Sequence, residues 1–302
     1  MIPLLSSELL RARSRKLVKV LLIVGVIGII VGVSIGAFNS NKPPAAALAK
    51  AEQARQAQYQ RCLSRLHPAQ IPIGTADAQS CTPPPIRDFL PGEAFDVNDI
   101  GALLRGTSVI LIVMGWLLGA SLAGAEWAAG TMTTLLTWEP CRIRVLLAKL
   151  VAAIVTVLVL TLALQLFLVG ALWLLTATRG INVPHPGLWH GIFGSMLRVS
   201  ALAVVAGVFG MAIAMYTRSV TAAMASGFIY LAVIEGLIRG YRPGLSRYLV
   251  GDNAAAWVSG HPFSASDPSH AVTVAHAVVV LLVYSAVLVT AAAISFRSRD
   301  VT

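Results

Sequence analysis

The chain has 302 residues, 57% of them hydrophobic and 12% charged, with a formal net charge of +10. Soluble domains carry about 25% charged residues, so this composition excludes an ordinary soluble globular protein. Several uncharged runs reach the roughly 18–20 residues that a bilayer-crossing helix needs, and the alternation of a membrane β-barrel is absent. The predicted fold class is an all-α polytopic membrane protein with six transmembrane helices. The cations are scattered through short loops beside apolar runs. Lipid headgroups and the positive-inside effect place them there, and no nucleic-acid partner is implied.

Residues 1–19 predict a cytoplasmic amphipathic helix lying in the membrane interface. Ser6 or Ser7 can cap it, and Glu8 sits in its first turn. Leu9, Leu10 and Leu17 supply the apolar side, and Arg11, Arg13, Arg15, Lys16 and Lys19 the basic side. The apolar run that follows is too long for a secretory leader and lacks a small-residue cleavage site, so it reads as a retained anchor. This first span covers 20–38. Its Gly28, Gly32 and Gly36 share one helix face and form a small-xxx-small stripe for close helix packing, either within the subunit or at a dimer seam.

Residues 39–105 form an extracytoplasmic insertion, in which Ala45–Leu66 reads as a helix. Cys62 and Cys81 both fall in it and are expected to form a disulfide, worth roughly 3 kcal/mol. Span two is 106–125, a cytoplasmic loop occupies 126–145, and span three is 146–176. Spans four and five are 191–216 and 220–238. An extracytoplasmic loop, 239–270, leads to span six at 271–296 and a cytoplasmic tail at 297–302. Six spans put both termini in the cytoplasm, where the dense clusters Arg11–Lys19, Arg142–Lys149 and Arg297–Arg299 also belong. Cys141 is then an ordinary thiol on the reducing side.

No P-loop and no His-Glu-x-x-His occurs, and no pair of carboxylates lies inside the spans. No catalytic residue and no cofactor is therefore expected in this chain. A metal site is not expected either. His270 and His276 fall on different helix faces, and His185 and His190 flank a Pro-Gly turn without a cysteine or carboxylate nearby. Two charges do lie within spans, Arg198 in span four and Glu235 in span five, both in the outer leaflet. They either pair with each other or snorkel separately to the headgroups.

The most specific stretch runs from Glu126 to Lys149. Glu126 ends span two, Gly130 and Thr131 can open a short helix, and Leu135 with Leu136 gives it an apolar face. Trp138 follows, Pro140 stops the helix, and Arg142, Arg144 and Lys149 lead into span three. This order resembles the permease subunits of type-2 ABC exporters, the ABC-2 family. The resemblance implies that the helix is a cytoplasmic coupling helix seated in a cleft of a separate nucleotide-binding ATPase subunit. Leu135, Leu136 and Trp138 would supply the apolar contact, Arg142 and Arg144 the charged rim, and Glu126 would orient the loop. ATP and Mg would sit on the partner.

It further implies a second permease copy or a homologous permease, and a plasma-membrane location. The spans are apolar, with few hydrogen-bonding groups such as Gln165, Ser195 and Thr217. They suit an amphipathic or hydrophobic substrate: a drug, an antibiotic, a lipid-like molecule or a peptide. The long insertion departs from the family pattern. It favours a competing reading, a non-transporting membrane sensor or scaffold whose insertion binds a ligand or partner protein.

Overall fold

The computed structural model describes residues 2–65, 84, 86–90, 94–181, 184, 186–265 and 271–298. Among them the regular secondary structure is helical, and two isolated β-bridges, Asp96 with Ile181 and Phe263 with Val272, are the extended pairings. Six helices are long and apolar enough to cross a bilayer, the architecture of a multi-pass membrane protein.

The helices in chain order are α1 (Ile2–Ser14), α2 (Lys16–Asn39), α3 (Ala45–Arg65), α4 (Ile100–Gly106), α5 (Ser108–Ala128) and α6 (Thr131–Trp138). There follow α7 (Arg142–Arg179), α8 (Leu188–Thr217), α9 (Val220–Ile229), α10 (Glu235–Tyr241), α11 (Val250–Ser259) and α12 (Val274–Ser298). A π-turn, Tyr230–Ile234, joins α9 to α10 into one membrane-length helix. The 38 residues of α7 extend about 57 Å at 1.5 Å per residue, well beyond a hydrocarbon core of about 30 Å.

Two compact units divide the chain. The first comprises Met1–Val26, Gly101–Phe167 and Trp189–Thr302. Its core is a close crossing of α5 and α8. A Cβ at Gly115 would collide with the Ala203 carbonyl, one at Gly119 with the Gly207 carbonyl, and one at Gly210 with the Trp116 carbonyl. Only glycine lets the two backbones approach this far, and close approach supplies the dispersion contacts that hold helices together in lipid. Trp116 extends the seam to α9, donating from Nε1 to the Ala223 carbonyl at 3.1 Å. Of the most apolar stretch of α8, 72% is buried, against 6% for α2, so α8 is an interior helix and α2 a peripheral one.

The second unit comprises Ile27–Ile100 and Leu168–Leu188. In it α3 packs on a 3-10 turn, Ile86–Phe89. The Asp96–Ile181 bridge exchanges two backbone bonds, Val97 N–H to Ile181 O at 3.1 Å and Ile181 N–H to Phe95 O at 2.8 Å. Arg87 pairs with Asp99.

Several sequence-based boundaries are corrected. The basic N-terminal helix ends at Ser14, so Lys16 and Lys19 belong to α2. The membrane-length helix assigned to 106–125 begins at Val97, within the stretch read as insertion. The glycine stripe of α2 is largely unpartnered: a Cβ at Gly28 or Gly32 would meet nothing within 4 Å, and one at Gly36 would touch Leu175 at 3.6 Å. The close contact of α2 is at Gly25, where a Cβ would come within 2.9 Å of Leu164. Cys81 lies outside the described residues, and with it the Cys62–Cys81 bridge. The same holds for His185, for His270 and for the tail beyond residue 298.

Candidate functional site

The site is built where α1, α5, α6 and the start of α7 meet. Helix α5 stops at Gly130, whose φ of 66° lies in the left-handed region, and its N–H returns to the Trp127 carbonyl at 3.2 Å. A side chain there would be strained by about 1–2 kcal/mol, so glycine both ends α5 and starts α6.

Only two turns long, α6 turns Met132 and Leu135 inward. They join a core with Met211, Met215 and Phe296, and Leu136 packs against it. Leu135 is 9% exposed, packed on this core, and lines the groove beside α1. The outward face carries Thr131, Thr133, Thr134, Thr137 and Trp138. Trp138 is 86% exposed at the helix end.

Beneath α6 lies a buried ion network. Lys149, 3% exposed on α7, donates from Nζ to Glu8 Oε1 and Oε2 at 3.0 and 2.9 Å and to Glu126 Oε2. Arg15 occupies the break between α1 and α2. It donates to Glu126 Oε1 at 2.9 Å and to the carbonyls of Ser121 and Leu122 at 2.7 and 3.2 Å. Arg11 reaches Glu8 Oε1 at 3.3 Å. Every carboxylate oxygen of Glu8 and Glu126 thus faces a cationic donor. Such complete pairing is what makes charge tolerable away from water, and stripping one partner from it costs about 3–5 kcal/mol. Lys149, read from the sequence as a cation leading into span three, is the hub that joins α1, α5 and α7.

Of the two expected rim cations, Arg142 donates to the carbonyls of Phe296 and Arg297 at 3.1 and 3.3 Å. It satisfies the C-terminal end of α12, where a cation also meets the negative end of the helix dipole. Arg144 pairs with Glu139 at 3.1 Å in an exposed bridge. Pro140 and Cys141 are exposed beside it, and Cys141 is a free thiol. Arg218, at the turn between α8 and α9, stacks over Trp127 at 4.6 Å, and Trp127 meets Phe296 edge-on at 6.0 Å. A groove of 660 Å³ opens between α1 and α6, with Arg11, Ser14, Ala129, Thr134 and Trp138 among its walls.

Arg198 and Glu235 do not pair. Glu235 accepts from the Gly251 N–H at 2.8 Å and from Arg239 at 3.5 Å. Arg198 lies instead against Gly260 at the end of α11, and its carbonyl accepts from Trp257 Nε1 at 2.7 Å. Arg239, one turn from Glu235 on the same helix, offers a nearer partner with no second helix to position. Of the polar groups in the spans, Ser195 accepts from Arg105 at 3.2 Å and Thr217 donates to the Ile213 carbonyl at 2.8 Å. The buried Gln165 amide makes no hydrogen bond among the described residues.

Sequence reasoning missed the role of Arg15 and the partnership of Glu8 with Lys149. Two signals were present. Glu8 is the one acid in a basic segment, and Lys149 is flanked by Ala148, Ala152 and Ala153, which leave room for a buried side chain.

No protein-family model matches the chain, and no curated protein matches it.

Proposed function

We propose that the chain is the membrane-spanning permease subunit of an ATP-driven exporter resembling the ABC-2 type. In this reading α6 is the coupling helix, and its side of the molecule faces the cytoplasm. A separate P-loop subunit carries ATP and Mg, and this chain contributes no catalytic residue. The observation that carries the reading is a two-turn helix set between two membrane-length helices, locked from behind by the buried Glu8–Lys149–Glu126–Arg15 network and presenting an 86% exposed Trp138. A rigidly backed helix transmits a push to α5 and α7 and does not absorb it. Exposed tryptophan is a frequent anchor of protein interfaces.

A second permease copy, or a homologous one, completes the transporter. The apolar helices suit an amphipathic or hydrophobic cargo, such as a drug, an antibiotic, a lipid-like molecule or a peptide. The Cys62–Cys81 disulfide belongs to the proposed extracytoplasmic insertion.

The test uses Trp138→Asp, which leaves the inward residues Met132 and Leu135 intact. Affinity-tagged chain is purified from its native membranes, and co-purified Mg-ATP hydrolysis is measured. Wild-type chain is expected to bring a P-loop subunit and its activity. The variant is expected to lose both while keeping its thermal midpoint. Undiminished recovery of the ATPase with the variant would contradict the docking assignment.

A further inference from the structure

At the end of the α9–α10 helix remote from the α8–α9 turn, a second polar cluster is buried, and it has one negative charge too many. Glu235 and Asp252 are 3% and 1% exposed. One guanidinium serves both: Arg239 Nη2 lies 2.5 Å from Asp252 Oδ1 and 3.5 Å from Glu235 Oε2. The second oxygen of Asp252 is buried without a hydrogen-bond partner, and so are Oδ1 of the adjacent Asn253 and Nε of Arg239. Orphan acceptors and an orphan donor are both present, so what the cluster lacks is positive charge: two carboxylates face one guanidinium.

Backbone geometry is committed to this arrangement. Gly227 lies on the buried face of α9, and eight residues of regular α-helix would place Glu235 about 80° away from it. The π-turn Tyr230–Ile234 takes back about 100°, the angle of one residue, and returns Glu235 to within about 20° of that face. There its carboxylate accepts the Gly251 N–H near the start of α11, and a Cβ at Gly251 would collide with it.

We propose that Glu235 carries a proton in this cluster, so that the docking of α11 on the α9–α10 helix is a pH-dependent latch. With the proton bound, one acid, one carboxylate and Arg239 sum to zero charge. Without it a net negative charge is stranded in a buried place. The other titratable groups facing the pair are Tyr230, whose hydroxyl lies at Glu235 and accepts from the Val250 N–H at 3.4 Å, and Tyr284, which donates to the Tyr248 carbonyl at 3.0 Å. Arg247 is turned onto the Tyr248 ring, 4.9 Å from its centroid, and His276 bonds the Arg247 carbonyl at 3.0 Å. Neither supplies a second cation to the carboxylates. A docked α11 binds one more proton than a detached one, so docking weakens as pH rises through the proton's release.

Two measurements on the full chain in lipid nanodiscs test this. The first is amide hydrogen exchange of Val250–Ser259 across a pH series, expressed relative to the intrinsic rate at each pH. Wild-type protection is expected to fall by up to about tenfold per pH unit from the pH where a free carboxylic acid ionises up to the release point, and to level off above it. Glu235→Gln, which carries a permanent donor, is expected to hold constant protection. A flat wild-type profile, or one that Glu235→Gln follows, would overturn the proposal. So would recovery of wild-type protection at high pH on adding sodium ions, which would assign the site to a metal cation.

The second is the infrared carbonyl band of a protonated carboxylic acid. It is expected in wild-type protein at neutral pH, lost as pH rises, and absent from Glu235→Gln combined with Asp252→Asn. Should the variants fail to fold, the wild-type band decides alone: its absence at neutral pH would overturn the proposal.

Discussion

Lys149 is enclosed by carboxylate oxygens from two other helices, and this makes its loss different from the loss of a surface charge. Lys149→Met would leave Glu8 and Glu126 buried together with Arg15 as their remaining enclosed cation. A fall in stability of about 3–5 kcal/mol is expected, read from the unfolding midpoint of the purified chain. Glu8→Gln in the same protein is expected to recover part of that loss, because the stranded carboxylate is then gone. Additive effects in that double-mutant cycle would contradict a shared network. Lys149→Arg is not a neutral exchange either. The guanidinium is larger and holds its donors in one plane, whereas the compact ammonium points three rotatable donors from a single atom. At the exposed Arg144–Glu139 bridge the same kind of change is expected to matter by less than about 1 kcal/mol.

At the scale of elements, glycine spacing has opposite meanings in two helices. In α5, Gly115 and Gly119 lie against backbone carbonyls of α8, so Gly119→Val is expected to abolish folding. In α2, Gly32 meets nothing within 4 Å, so Gly32→Val is expected to leave the folded monomer within about 1 kcal/mol of wild type. Size-exclusion profile and thermal midpoint in detergent check both, and equal sensitivity at the two positions would contradict the assigned seam. The α2 stripe stood out in the sequence because it repeats three times at a fixed interval. Spacing shows that small residues share a face, but not whether another helix lies on that face. The long apolar helices were legible because hydrophobicity is local to the chain. Helix α11 was not, since its buried face carries Asp252 and Asn253 beside Ala256 and so inverts the pattern by which an amphipathic helix is recognised. The short helix after Gly130 was legible from its glycine and proline punctuation. Its inward side was not legible, because two turns offer too few residues to fix which apolar one faces the core.

At the scale of the whole molecule, the proposed function requires α6, Pro140 and Cys141 to lie on the side of the membrane where ATP is available. The buried network joins α1 to the membrane-length helices α5 and α7, and the Glu235–Asp252 cluster lies at the opposite end of the α9–α10 helix. The long insertion remains the feature by which a sensor would differ from a plain exporter. Cys141 is exposed, free and three residues beyond Trp138, so it reports directly on which side α6 lies. The decisive measurement is its labelling by a membrane-impermeant maleimide, with the modified peptide identified by mass spectrometry. Protection in intact cells and modification in inside-out vesicles is the expected result. Modification of Cys141 in intact cells, with protection in inside-out vesicles, would contradict the account, because no ATPase could then reach the helix.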